Sequence, residues 1–173
     1  MITKKDLLNW LGEIDKKLKD KMILTAVGGT AMTLLNLKES TIDVDFDVSK
    51  NDFDKFKKLA SKFKKFRVDI FVDGYIFSEQ LPKDYASMAE EFNNIKFKNI
   101  NLKTLHPMDI IITKAARYNA RDDEDIETLI KKIKINVDGL IKRFEMVKGS
   151  YAGSESIFKD NFEVILRRYF RKI

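Results

Sequence analysis

Three aspartates alternate in Thr41-Ile42-Asp43-Val44-Asp45-Phe46-Asp47-Val48. Side chains two residues apart in an extended chain share one face, so Asp43, Asp45 and Asp47 are predicted to project one way and Ile42, Val44, Phe46 and Val48 the other. Aspartate is disfavoured in strands and like charges on one face repel, so such a run is costly unless a cation neutralises it. Carboxylates are hard oxygen ligands of the kind Mg²⁺ takes, one or two at a time, with water and substrate phosphate completing its shell. The plain alternative is a solvated strand face, or an acidic patch balancing the many lysines. Asp47 keeps three readings: it supports the site, replaces one of the first pair, or faces solvent.

Upstream, the apolar run from Met22 to Val27 reads as a strand, and Gly28-Gly29-Thr30 follows it directly. Glycines after a strand let the backbone come close to a ligand, and a helix starting near Thr30 offers unpaired N–H groups to an anion. A phosphate cradle beside paired carboxylates resembles the nucleotidyltransferase superfamily, the fold shared with the polymerase-beta palm. That family is marked by Gly-Gly or Gly-Ser opening a helix, Asp-x-Asp on the next strand, and a third acid on a later strand. The matching residues are Gly28-Gly29-Thr30, Asp43-Val44-Asp45, and Asp69 within Arg67-Val68-Asp69-Ile70-Phe71-Val72. Thr30 stands where many members have Ser, and either hydroxyl can reach phosphate. The resemblance implies that Asp43, Asp45 and Asp69 hold Mg²⁺, that Gly28, Gly29 and Thr30 bind phosphate oxygens, and that an NTP is the substrate. Asp73 competes with Asp69 as third acid, but its neighbour Gly74 suits a turn better.

Further on, Lys114, Arg117 and Arg121 fall at i, i+3 and i+7 of a helix expected to start at Pro107, so a basic stripe fit to hold a triphosphate is predicted. The runs Asp109 to Lys114 and Arg121 to Ile126 resemble short nucleotidyltransferases of the abortive-infection toxin type. That resemblance implies active-site roles for Lys114 and for either Asp122 or Asp125, a tRNA or protein acceptor, and a toxin–antitoxin setting with an antitoxin partner. The alternative is an ordinary surface helix with ion pairs and an aspartate cap. His106, before the helix proline, reads as a capping or packing residue.

These residues need elements to position them. Thr3 to Asp6 forms a capping box for an amphipathic helix to about Lys19, and the apolar residues from Ala31 to Leu37 mark a helix on the sheet. Ser49 is a plausible N-cap for a helix with Phe53, Phe56, Leu59, Ala60, Phe63 and Phe66 on one face and Lys55, Lys57, Lys58, Lys62, Lys64 and Lys65 on the rest. Val68 to Val72, an Asp73-Gly74 turn and Tyr75 to Phe77 read as a hairpin. The segment from Ser78 to Asn94 is hard to read, with a helical turn or two from Tyr85 to Phe92; Ile95 to Phe97 and Ile100 to Leu102 look like short strands. Helices follow from Pro107 to Tyr118, Asp122 to Lys134, Asn136 to Lys148, and Ser154 to Arg171.

The expected fold is therefore α/β, a small mixed sheet flanked by helices over residues 1–105, with a helical C-terminal region over 106–173 closing the cleft. A chain of 173 residues, 44% hydrophobic and 35% charged, suits a filled core. The absence of cysteine excludes disulfides, thiolate zinc sites and cysteine nucleophiles, and a single histidine excludes histidine-rich metal centres. No apolar stretch reaches membrane-spanning length and no apolar signal follows the N-terminal charges, so a cytoplasmic protein without membrane contact is expected. The formal net charge of +6 favours anionic partners such as nucleotides or RNA. Besides the enzyme, two readings stay open: a degenerate nucleotidyltransferase acting as a binding or interaction module, and a basic nucleic-acid-binding protein without chemistry.

Overall fold

The computed structural model describes residues 1–63 and 65–171. Its elements run β1 (Ile2–Thr3), α1 (Lys4–Asp15), β2 (Met22–Ala26), α2 (Gly28–Leu34), β3 (Ser40–Thr41), β4 (Val44–Val48), α3 (Phe53–Lys62), β5 (Val68–Val72), β6 (Tyr75–Ile76), β7 (Glu79–Gln80), α4 (Tyr85–Met88), β8 (Glu90–Glu91) and β9 (Ile100–Thr104). Then come α5 (Pro107–Ala115), α6 (Ala120–Lys132), α7 (Val137–Val147) and α8 (Glu155–Phe170). This is the expected mixed α/β architecture with a helical C-terminal part.

Seven strands form one mixed sheet in the order β7-β6-β5-β4-β2-β9-β8. β2 pairs antiparallel with β4 and parallel with β9, while β4 and β5 run parallel. Parallel neighbours need a crossover, and α3 supplies it between β4 and β5. Leu24, Ala26, Val44, Phe46, Val48 and Leu102 are buried along with Leu7, Trp10, Leu11 and Ile14 of α1 and Phe56 of α3. Phe56 meets Phe46 edge-on at 5.8 Å and Trp10 at 6.4 Å, so α1 and α3 lie against this apolar face of the sheet. The Trp10 indole donates to the Phe63 carbonyl at 2.9 Å, which satisfies its buried N–H. Alternation then gives the opposite face to Thr25, Asp45, Asp47 and Asp69.

Local chemistry moves several boundaries from their expected places. The first helix stops at Asp15, well short of Lys19, because the Asp15 carboxylate turns to accept the backbone N–H groups of Lys98, Asn99 and Ile100. The third helix starts at Phe53 and ends at Lys62: Ser49 and Asp52 bond each other in a turn before it, and Phe66 packs on Trp10 from beyond its end. Lys64 lies outside the described residues. Asp73 and Gly74 form the expected tight hairpin, both with positive φ (51° and 78°), and a Cβ on Gly74 would sit 2.6 Å from the Tyr85 ring. Residues 95–97 are irregular and form no strand, whereas Glu90–Glu91, which carries no strand signal, pairs with β9.

The C-terminal helices are capped as the sequence suggests at Asn136 and Ser154, and His106 caps α5 by accepting the Met108 N–H. α5 is apolar almost all round, with Ile110, Ile111, Ile112 and Ala115 buried. Phe144 of α7 stacks on Phe162 of α8, ring centroids 3.9 Å apart. Fully buried Asp109 is paired with Arg143, which also reaches Asp84 at 3.0 Å and so ties α4 to the helices. Removing one partner strands the other charge, so Arg143→Met is expected to cost about 3–5 kcal/mol in urea unfolding, with Asp109→Leu/Arg143→Met recovering most of it. Equal losses in the single and double variants would instead trace the cost to packing.

Candidate active site

At the C-terminal end of β2 the chain turns at Gly28 with φ +52°, a conformation only glycine adopts without strain. A Cβ there would also stand 3.3 Å from Asp45 Oδ2 and from the Phe77 ring. The backbone of Asp45 is held to this turn on both sides: its carbonyl accepts the Val27 N–H at 3.1 Å and its N–H donates to Thr30 Oγ1 at 2.9 Å. Thr30 is fully buried, and its hydroxyl also donates to the Asp43 carbonyl at 3.3 Å. It therefore pins β4 to α2 and does not line the cleft, contrary to the expectation that its hydroxyl meets phosphate.

Asp45 and Asp69 are register partners on parallel β4 and β5. Such strands lie about 4.8 Å apart and partnered side chains leave on one face, so the two carboxylates are neighbours. Asp69 is 38% exposed and accepts an ion pair from Arg67 at 3.1 Å. Asp43 lines the same cavity from the bend before β4, outside the ladder, and Ile42 is 56% exposed. At the cavity the predicted set of three alternating acids from one strand is thus corrected to one acid from each of two strands, Asp45 and Asp69, with Asp43 beside them. Asp47 shares the alternation but not the cavity: its oxygens accept the Gly74 N–H at 3.0 Å and the Tyr85 hydroxyl at 2.6 Å. Asp73 accepts the Lys50 N–H in its turn.

The facing wall comes from the α5–α6 corner. The predicted basic stripe on one helix is not formed, because α5 ends at Ala115, Tyr118 takes φ +41°, and Asn119 caps a new helix in a capping box with Asp122. Arg121 is exposed on α6. Lys114 is buried with its ammonium 2.7 Å from Asp125 and 3.3 Å from Asp122. Arg117 grips Asp122 through two bonds of 2.8 Å, and Lys38 reaches Asp125 at 2.9 Å. Both candidate aspartates therefore belong to one network, and Asp122 is held below its ordinary range by Arg117 and Lys114 in spite of burial.

A cavity of about 870 Å³ separates the two walls, lined by Gly28, Gly29, Asp43, Asp45, Asp69, Lys38, Lys114, Arg117, Asp122 and Asp125. Lys38, Phe71, Phe77 and Glu79 also line it without any sequence motif to mark them, and the last two lie at a hairpin end whose pairing only the sheet reveals. The Asp45 carboxyl is pushed up from 3.8 to about 7, first by burial and then by the charges of Asp69 and Asp43, with Arg117 and Lys114 pulling the other way. Among the described residues no three carboxylate, histidine or cysteine side chains stand close enough to hold an ion. The Asp45–Asp69 pair nonetheless fits Mg²⁺, which needs one or two carboxylates and takes its other oxygens from water and phosphate.

A glycine turn opening a helix, with registered carboxylates beside it on a mixed sheet, is the arrangement of a nucleotidyltransferase core. Residues 5–171 match the family model described as "Nucleotidyltransferase of unknown function (DUF6036)", and the chain belongs to that family. Comparison with curated proteins and with solved structures gave no match. Among the described residues no helix is long and apolar enough to cross a membrane.

The raised Asp45 carboxyl has a consequence for stability. A carboxyl that binds its proton more tightly folded than unfolded destabilises the fold once it must ionise, so stability is lost as pH rises from about 4 through about 7. Asp45→Asn is expected to match the wild type at pH 3.5 and to exceed it at pH 8 by on the order of 2–4 kcal/mol in urea unfolding. A pH-independent difference would mean that ionisation of the buried Asp45 carboxyl is not its source.

Proposed function

We propose that the protein is a Mg²⁺-dependent enzyme that moves a nucleoside monophosphate from an NTP to a hydroxyl acceptor. The observation that carries this reading is the registered Asp45–Asp69 pair at the Gly28 turn. Mg²⁺, when bound there, would supply charge neutralisation between the carboxylates and the phosphates. Asp45 and Asp69 would hold it, with Asp45 fixed by its backbone bonds to Val27 and Thr30; the expected third ligand, Asp43, does not close a three-carboxylate set with them among the described residues and would add only its charge from the bend.

The backbone N–H groups at Gly28 and Gly29 donate to phosphate oxygens, while Thr30 acts indirectly by holding Asp45 in place. Asp69, the more exposed acid, receives the proton of the acceptor hydroxyl. The acceptor oxygen bonds to the α-phosphorus as the bond to the bridging oxygen breaks, and pyrophosphate leaves with the electron pair. Lys114 and Arg117, oriented by Asp122 and Asp125, offset the charge that gathers on it. The likeness of the runs Asp109 to Lys114 and Arg121 to Ile126 to abortive-infection type enzymes supports an RNA acceptor, tRNA first and protein second, in a cytoplasmic toxin–antitoxin pair with a protein antitoxin.

One observation favours a second reading, a degenerate member that binds nucleotide without turnover: Arg67 already occupies Asp69. Incubation with each α-labelled NTP, Mg²⁺ and total RNA or total protein separates them. Wild type should transfer label and Asp45→Ala should lose at least about a hundredfold in rate. Transfer by both proteins alike would defeat the mechanism, and nucleotide binding without transfer by the wild type would establish the degenerate reading.

A further inference from the structure

The proposed reaction makes no use of Glu79, although it is the most unusual acid in the cleft. It sits on β7, fully buried, and lines the cavity. Its Oε2 accepts the Ser78 N–H at 3.1 Å, and its Oε1 is the only buried side-chain polar atom without a hydrogen-bond partner among the described residues. A buried polar atom left unpaired destabilises the fold, and an apolar side chain of similar size would avoid that cost. Nothing in the packing accounts for the acid.

Its surroundings suggest an occupant. Phe77, held at φ +56°, sets its ring 4.8 Å from that of Phe71, and the Arg117 guanidinium lies over Phe77 at 5.4 Å. The same Phe77 ring reaches the Gly28 turn, so a continuous aromatic surface runs from the expected phosphate position to the strand that carries Glu79. Aromatic faces take flat heterocycles by stacking, and a cation above the ring adds to this. The strand itself is braced, because Ser150 Oγ accepts the Gln80 N–H at 3.2 Å and donates to the Gln80 carbonyl at 2.9 Å.

We propose that this end of the cleft is the nucleobase subsite, in which the base stacks on the Phe71–Phe77 pair and Glu79 Oε1 hydrogen-bonds its edge and so selects which NTP is used. This rests on the nucleotidyltransferase reading and adds its substrate discrimination. Burial pushes the Glu79 carboxyl up to about 8, against the opposing pull of the Ser78 N–H and, after it, of the Arg117 charge. Near neutral pH the acid is then uncharged: Oε2 accepts from Ser78 while Oε1 carries the proton. The group offered is a donor, which suits an unprotonated ring nitrogen or a carbonyl oxygen of the base.

The test is titration of the four ribonucleoside triphosphates, as α,β-methylene analogues with Mg²⁺, into wild type, Glu79→Gln and Glu79→Met. Wild type should prefer one base by about tenfold or more, the scale of one buried hydrogen bond. Glu79→Gln keeps the shape, the acceptor and the donor, and should keep the order of preference. Glu79→Met should melt at or above the wild-type temperature yet bind the four within about threefold of one another. If folded Glu79→Met retains the wild-type affinities and order, or if wild type binds all four equally, the subsite is refuted while the transferase reading stands. A wild type that binds none of them overturns both.

Discussion

Two carboxylates held side by side on parallel strands, close to a turn that brings backbone against one of them, form the constraint on which the rest of this structure turns. Asp45 cannot relax away from Asp69, because its N–H and carbonyl are both committed to the Gly28–Thr30 corner. The parallel pairing of β4 and β5 requires the crossover through α3, and that helix takes the face bearing Phe46, leaving the acidic face open. Sequence order, strand pairing and packing thus combine to place like charges together. The fold relieves only part of their repulsion, through Arg67 at Asp69 and through the fields of Arg117 and Lys114 at Asp45.

Much of this was legible in the chain because period-two alternation and the order Gly-Gly, Asp-x-Asp, Asp are local properties. Direction was less legible. A threonine after a glycine pair offers a hydroxyl, but only the approach of β4 shows that Thr30 is turned inward to pin the Asp45 N–H. Asp47 has the same parity as Asp45, yet one strand step further along, the Gly74 turn and the Tyr85 hydroxyl have closed over it. Parity fixes a face; it does not say what covers that face.

Where the basic residues are concerned, the spacing of Lys114, Arg117 and Arg121 fits one helix, but Asn119 followed three residues later by Asp122 is a capping box, and it starts a second helix. A second helix is expected from Asp122, and the box starts it at Ala120, which puts Arg121 on the new helix. The break matters to the site, since the left-handed Tyr118 lets α6 turn back and bring Asp122 and Asp125 onto Lys114. Glu79 left no comparable trace. Its importance comes from a two-residue strand at the end of a hairpin and from an Oε1 without a hydrogen-bond partner among the described residues, neither of which a linear pattern records.

The two walls also constrain what the cleft can bind. Lys38, Lys114, Arg117 and Arg121 stand with Asp122 and Asp125, four positive charges against two negative, so that wall keeps a surplus of positive charge. Opposite stand Asp43, Asp45 and Asp69. A free polyanion entering the cavity is attracted by one wall and repelled by the other, and a free cation meets the reverse. A divalent ion carrying a polyphosphate suits both at once, since the ion sits on the carboxylates while the phosphates lie against the ammonium and guanidinium groups. On the proposed reading the charge pattern would favour the complex over either component alone, so that metal and nucleotide would each strengthen binding of the other.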